Sequence, residues 1–130
     1  MTPAEFKTLR EGMGLAAEEV AALLGVTRKT VFAMESPTRA LDVPEEHAAG
    51  LRAIADRFHA AVQATAATGD VLVRYTDEAK FQKRYGLGKV PGRRRKDQHL
   101  AEVAPLPLSM QGPLLFAVTA LWASPIEYGE

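Results

Sequence analysis

Apolar and small residues recur at helical spacing through the first half of the chain and lose that spacing near residue 69. Thr2, Pro3 and Glu5 form a capping box with proline at the first helical position, which starts a helix just before Phe6 and Leu9. Leu15, Val20, Ala21, Leu23 and Leu24, then Val26, Val31 and Met34, give two short segments that each turn one face toward a shared core. Gly25 stands between them, where a residue past a helix end takes a positive φ, and Thr27 offers a hydroxyl to cap the second segment. Pro44 opens a further helix with an apolar face of Leu51, Ile54, Ala55, Phe58 and Val62. After Thr68, Gly69 and Asp70 the period changes. Val71 to Tyr75 reads as a short strand with Val71, Val73 and Tyr75 on one face. Thr76 and Asp77 cap a helix from Glu78 to about Tyr85, and Ser109 to Trp122 reads as a last helix with Pro113 confined to its first turn or a kink.

The pattern predicts a mainly α protein. Residues 1–67 would form a four- to five-helix helix-turn-helix domain, and residues 70–130 a small α+β dimerisation domain with a basic loop at 86–97. The stretch Leu15 to Glu35 has the spacing at which a second helix protrudes into a DNA major groove while the first lies across the backbone. On that reading Thr27, Arg28, Lys29, Thr30, Phe32 and Ala33 are the DNA-contacting positions, with Arg28, Lys29 and Thr30 in the first turn. Two core helices of an unrelated α-domain would share the pattern. The flanking helices, in the places such a domain needs them, favour the DNA reading.

This stretch resembles the Cro and phage-repressor (XRE-type) helix-turn-helix, and the resemblance runs back to Glu5 and forward past Glu35. Ala21 matches the small residue inside helix 2, Gly25 the turn, and Glu35 the acid that closes the recognition helix. Arg10 matches an arginine late in helix 1, so the resemblance implies a structural ion pair between Arg10 and Glu35. Ala17 departs from it, standing where a glutamine often touches a phosphate. Ser36 and Pro37 replace the usual Arg-Gly, which suggests an altered loop in which Thr38 and Arg39 are candidate replacement contacts. The two-part plan also resembles short bacterial and phage regulators that include the anti-CRISPR-associated repressors. The residues that carry this are Glu5 to Arg10, Val43 to Glu46 and Val73 to Gln82. The likeness implies a homodimer that binds an inverted repeat in double-stranded DNA and represses transcription, with its own operon as one candidate target.

Charge alters the picture. The 130 residues carry no net charge, yet residues 1–60 hold seven Lys and Arg against nine Asp and Glu, and residues 61–130 hold nine against seven. An acidic N-terminal half cannot bind DNA by bulk attraction, so it must rely on local placement of Arg28, Lys29 and Arg39. Doubling that modest set of phosphate contacts in a dimer raises affinity without a matching rise in nonspecific binding.

A lone strand at 71–75 leaves its edges open, so it should pair within a small sheet, with a partner subunit, or with the extended stretch Val103 to Leu108. Between Lys80 and Lys96 there are eight basic residues and no acidic one. Lys89, Arg93, Arg94, Arg95 and Lys96 fall among loop-forming glycines and a proline. They are either secondary nucleic-acid contacts, to DNA or RNA, or a solvated loop. The last helix is apolar around more than one face. Leu115, Phe116, Leu121 and Trp122, together with Val71, Val73 and Tyr75, are the expected dimerisation surface, with burial in the subunit's own core as the alternative.

Enzymatic chemistry finds no footing. His47 and His59 lie too far apart on one helix to ligate a metal together, there is no nucleophile-elbow serine, and no carboxylate pair has an acid/base setting. No cofactor or metal is expected, and the absence of cysteine removes disulfides. With no membrane-length apolar run and no signal-peptide pattern, the expected location is cytoplasmic. Two other binding readings remain: an antitoxin or adaptor whose C-terminal half holds a protein partner, and a phage immunity repressor that binds as a monomer.

Overall fold

The structure is a computed structural model that describes residues 1–68, 71–85, 107–122 and 125–129. These residues are mainly helical, with a two-stranded parallel sheet. Helix α1 (Pro3–Gly12) starts on Thr2, whose hydroxyl accepts from the Glu5 amide at 3.1 Å while Glu5 Oε1 accepts from the Thr2 amide at 2.9 Å. This reciprocal bonding satisfies two amides that the helix start would leave unpaired. Helix α2 (Ala17–Leu24) has only half of the device: Glu19 accepts from the Ala16 amide at 2.8 Å, and alanine has no oxygen to return. It ends at Gly25, whose φ of +71° is the left-handed conformation that stops a helix.

Helix α3 (Arg28–Glu35) starts on Thr27, whose hydroxyl accepts from the Thr30 amide at 3.2 Å. Helix α4 (Glu45–Thr68) follows Pro44 and places Glu45 and Glu46 in its first turn, where carboxylates oppose the positive end of the helix dipole. Phe6, Val20, Val31, Leu51 and Ile54, from all four helices, are fully or almost fully buried together.

Strand β1 (Leu72–Arg74) pairs in parallel with β2 (Ile126–Tyr128), Leu72 opposite Ile126 and Arg74 opposite Tyr128. Main-chain bonds of 2.8 Å from Leu72 to the Pro125 carbonyl and from Gly129 to the Arg74 carbonyl extend the pairing at both ends. The partner is thus the C-terminal segment; of the stretch expected to pair, residues 103–106 lie outside the described residues. The buried residue of the strand also differs from the expected face. Leu72 enters the core, Val71 is exposed, and Val73 and Tyr75 are half-buried.

Helix α5 (Glu78–Tyr85) follows, with Asp77 Oδ2 accepting from the Lys80 amide at 3.1 Å and Phe81 fully buried. A 3-10 turn at Leu108–Met110 leads into α6 (Gln111–Trp122), which packs chiefly on α4. Pro113 falls in the first turn of α6, where its missing N–H costs no helical bond. Gln111 is buried and holds β1 by its amide: Nε2 donates to the Tyr75 carbonyl at 2.7 Å, and Oε1 accepts from the Tyr75 amide.

The described residues on either side of 69–70 share one core. Leu72, Phe81, Met110, Leu114, Leu115 and Val118 belong to the same buried cluster as the residues of α1 to α4. Polar contacts span the same boundary. Ser109 Oγ donates to Glu19 at 2.8 Å, and Gly14, with φ +77°, lies so close to the C-terminal segment that a Cβ there would stand 2.5 Å from the Ser109 carbonyl oxygen. No described helix is long and apolar enough to cross a membrane.

Candidate nucleic-acid interface

Helix α3 is held from behind by Val31, Met34 and Glu35, all buried, while Arg28, Lys29, Phe32 and Ala33 face outward and Thr30 is half-buried. This division follows from the helical period: positions 31, 34 and 35 share one face, and 28, 29, 32 and 33 lie around the other. The anchor at the end of α3 is an ion pair. Arg10 Nε donates to Glu35 Oε2 at 2.6 Å and Nη2 to Oε1 at 2.9 Å, a bidentate fit, while Nη1 donates to the Leu15 carbonyl at 2.9 Å. Both side chains are almost wholly buried, at 10% and 4% exposure. Hydrogen bonding to Glu35 raises the Arg10 pKa above its usual value against the opposing effect of burial, so Arg10 keeps its charge. One guanidinium thereby ties α1, the segment before α2 and the end of α3 together.

The start of α3 is arranged differently, at the surface. Arg28 Nε lies 3.3 Å from Glu18 Oε1 on α2, and the Arg28 guanidinium sits over the Phe32 ring, 5.2 Å from its centroid. Both Arg28 and Glu18 side chains are about 60% exposed, at 62% and 59%, so solvent screens the pair and it adds little to the stability of the fold. Neither contact was anticipated from sequence. The signals were there, since Arg28 and Phe32 stand four apart on one helix and Glu18 lies in the first turn of the helix before it.

The other expected contact residues are partly committed. The Thr27 hydroxyl caps α3 and stands 3.0 Å from that of Thr30. In the loop after α3, the Thr38 hydroxyl lies 2.9 Å from Ser36 Oγ, and Arg39 Nε donates to the Leu41 carbonyl at 3.1 Å. Arg39 therefore braces its own loop and is only half-exposed. Ala17 is buried, consistent with its small apolar side chain.

The C-terminal residues separate into two groups. Leu115, expected on the dimerisation surface, is instead buried in the chain's own core, while Phe116 and Leu121 are 72% and 71% exposed and Tyr128 is 79% exposed. Trp122 ends α6, but its side chain lies outside the described residues, as do Lys89, Arg93, Arg94, Arg95 and Lys96. Among the described residues no group of His, Asp and Glu is placed to hold a metal ion. No family model matches this chain, and no curated protein is similar enough to it to count as a relative.

Proposed function

We propose that this chain is a sequence-specific DNA-binding regulator of transcription, in which α2, the Gly25 turn and α3 form a helix-turn-helix. The supporting observation is the construction of α3. Its back is fixed by the buried Arg10–Glu35 pair, and its first turn presents Arg28 and Lys29 outward with Thr30 half-buried beside them. Such a helix meets the geometric need of a reader that enters the major groove by its N-terminal turn. The protein acts as a homodimeric repressor on an inverted repeat, and α6 with the small sheet is its dimerisation unit. Phe116, Leu121, Ile126 and Tyr128 supply an exposed apolar surface of the kind that subunit interfaces cover.

The test pairs mobility shift on DNA upstream of its own gene with measurement of mass in solution. The expected result is a dimer that protects two half-sites related by two-fold symmetry. Arg28→Ala and Lys29→Ala proteins should stay folded and lose binding. A lost base contact weakens binding by about 1–3 kcal/mol at one sequence position, and a lost phosphate contact weakens all sequences alike and lowers the salt slope by about one. Wild-type binding by both variants sinks the assignment of α3. The same apolar surface supports a second reading, an antitoxin or adaptor that holds a protein partner there; a monomer that becomes soluble only beside a co-expressed neighbour favours it.

A further inference from the structure

Arg28 and Phe32 stand as one pair at the outward side of α3. The Glu18 carboxylate on α2 lies 3.3 Å from Arg28 Nε, and the guanidinium lies over the exposed Phe32 ring one helical turn further on. The cation–π contact and the carboxylate constrain a side chain that would otherwise sample many rotamers. The two groups ask for different neighbours in a major groove. A guanidinium offers paired donors that match guanine O6 and N7, and a phenyl edge finds apolar surface there only on the 5-methyl group of a pyrimidine.

We infer that the Arg28–Phe32 pair reads a guanine together with an adjacent 5-methylpyrimidine, and that Glu18 is the positioning residue that keeps the pair aligned. This rests on the DNA-binding reading and names what that site selects. The methyl has two chemical sources, thymine and 5-methylcytosine. Glu18 adds a selective element of its own, because its carboxylate repels phosphate and loses Arg28 whenever the arginine turns to the backbone instead. Nonspecific contact is thereby penalised and base contact is not.

The experiment starts by enriching bound sequences from random duplex DNA with the full-length protein. Each thymine in the selected site is then replaced by uracil, and in a parallel set each cytosine next to guanine is replaced by 5-methylcytosine. Loss of one buried methyl should weaken wild-type binding about fourfold at one position per half-site, beside a guanine. If 5-methylcytosine is the source, methylation should strengthen binding by a similar factor at that position. Phe32→Ala should erase the difference between methylated and unmethylated bases. Phe32 is 46% exposed, so the variant should melt close to wild type.

Glu18→Gln should raise affinity for unrelated DNA and shrink the ratio of specific to nonspecific binding, and Glu18→Asp should restore part of that ratio. Methyl dependence that persists in Phe32→Ala, or a selected site at which no 5-methyl group matters, overturns the inference and leaves the DNA-binding reading standing. If no sequence is enriched at all, both fall.

Discussion

Helices α3 and α6 each bury one side in the same core, yet their outward sides carry different chemistry: Arg28 and Lys29 lead the first, Phe116 and Leu121 the second. Water satisfies the outward side of α3, so that helix needs no partner, and what matters there is how firmly its back is fixed. The outward side of α6 gains from being covered. The two surfaces therefore respond to different changes.

Fixation of α3 should give the largest effect. Arg10→Ala leaves Glu35 buried without its counter-charge and should cost about 3–5 kcal/mol in urea denaturation. DNA binding should fall with it as α3 loses its anchor. Replacing both members, Arg10→Met with Glu35→Leu, should recover most of the stability, since two apolar groups leave no buried charge. A loss below about 1 kcal/mol in Arg10→Ala would show that the ion pair is not what holds α3.

The next effect concerns how α6 is seated. Gly25 and Gly14 both have left-handed φ, at +71° and +77°, but a Cβ at Gly25 meets nothing within 4 Å whereas one at Gly14 strikes the Ser109 carbonyl. Gly25→Ala should cost about 1 kcal/mol, the conformational penalty alone. Gly14→Ala should cost roughly twice that or more, because the start of α6 must also shift. Equal melting temperatures for the two variants would mean that the C-terminal segment is not seated against the α1–α2 turn.

Phe116→Ser and Leu121→Ser should leave folding stability of the subunit within about 0.5 kcal/mol, since neither side chain is in the core. In the proposed dimer, each should nonetheless raise the dissociation constant by about tenfold or more in sedimentation experiments, the effect of one large apolar contact removed from an interface. An unchanged constant would place the dimer contact elsewhere. The smallest effect is at α1. Hydrogen bonds from the Thr2 backbone and hydroxyl hold the Glu5 carboxyl below its ordinary value of 4.5. A pKa lower in the folded state than in the unfolded one means stabilisation that is complete above the ordinary value and fades as pH falls through the depressed one. An acid titration followed by circular dichroism should show this limb in the wild type, and Glu5→Gln should lack it.

Much of the N-terminal architecture was legible because each boundary had a local chemical cause. Thr2 and Glu5, Gly25, Thr27 and Pro44 mark helix ends by capping, positive φ or fixed φ, and the helices begin or end at these residues. The Arg10–Glu35 pair came from a family likeness, since 25 residues of separation carry no spacing signal. The sheet was not legible. A three-residue strand is too short for alternation to choose a face, so Leu72 rather than its neighbours entered the core, and β2 pairs with a strand far behind it in the chain. Nothing in the sequence marks Gln111, and only the fold brings the Tyr75 main chain against its amide. At the surface, the outward placement of Arg28, Lys29, Phe32 and Ala33 was readable from the helical period, but that of Thr30, which is half-buried, was not. That Arg39 turns to its own loop and that Glu18 faces Arg28 depended on tertiary placement.

The bond between Ser109 and Glu19 joins residues 90 positions apart, and that separation has a temporal meaning. On the ribosome, α1 to α3 emerge with their first partners close behind, so their contacts form over short loops and close quickly. Helix α4 must then wait for α6, its principal C-terminal neighbour, to be synthesised. Until α6 arrives, apolar surface on α4 faces solvent, and that interval is when the nascent chain is most exposed to chaperone capture or aggregation.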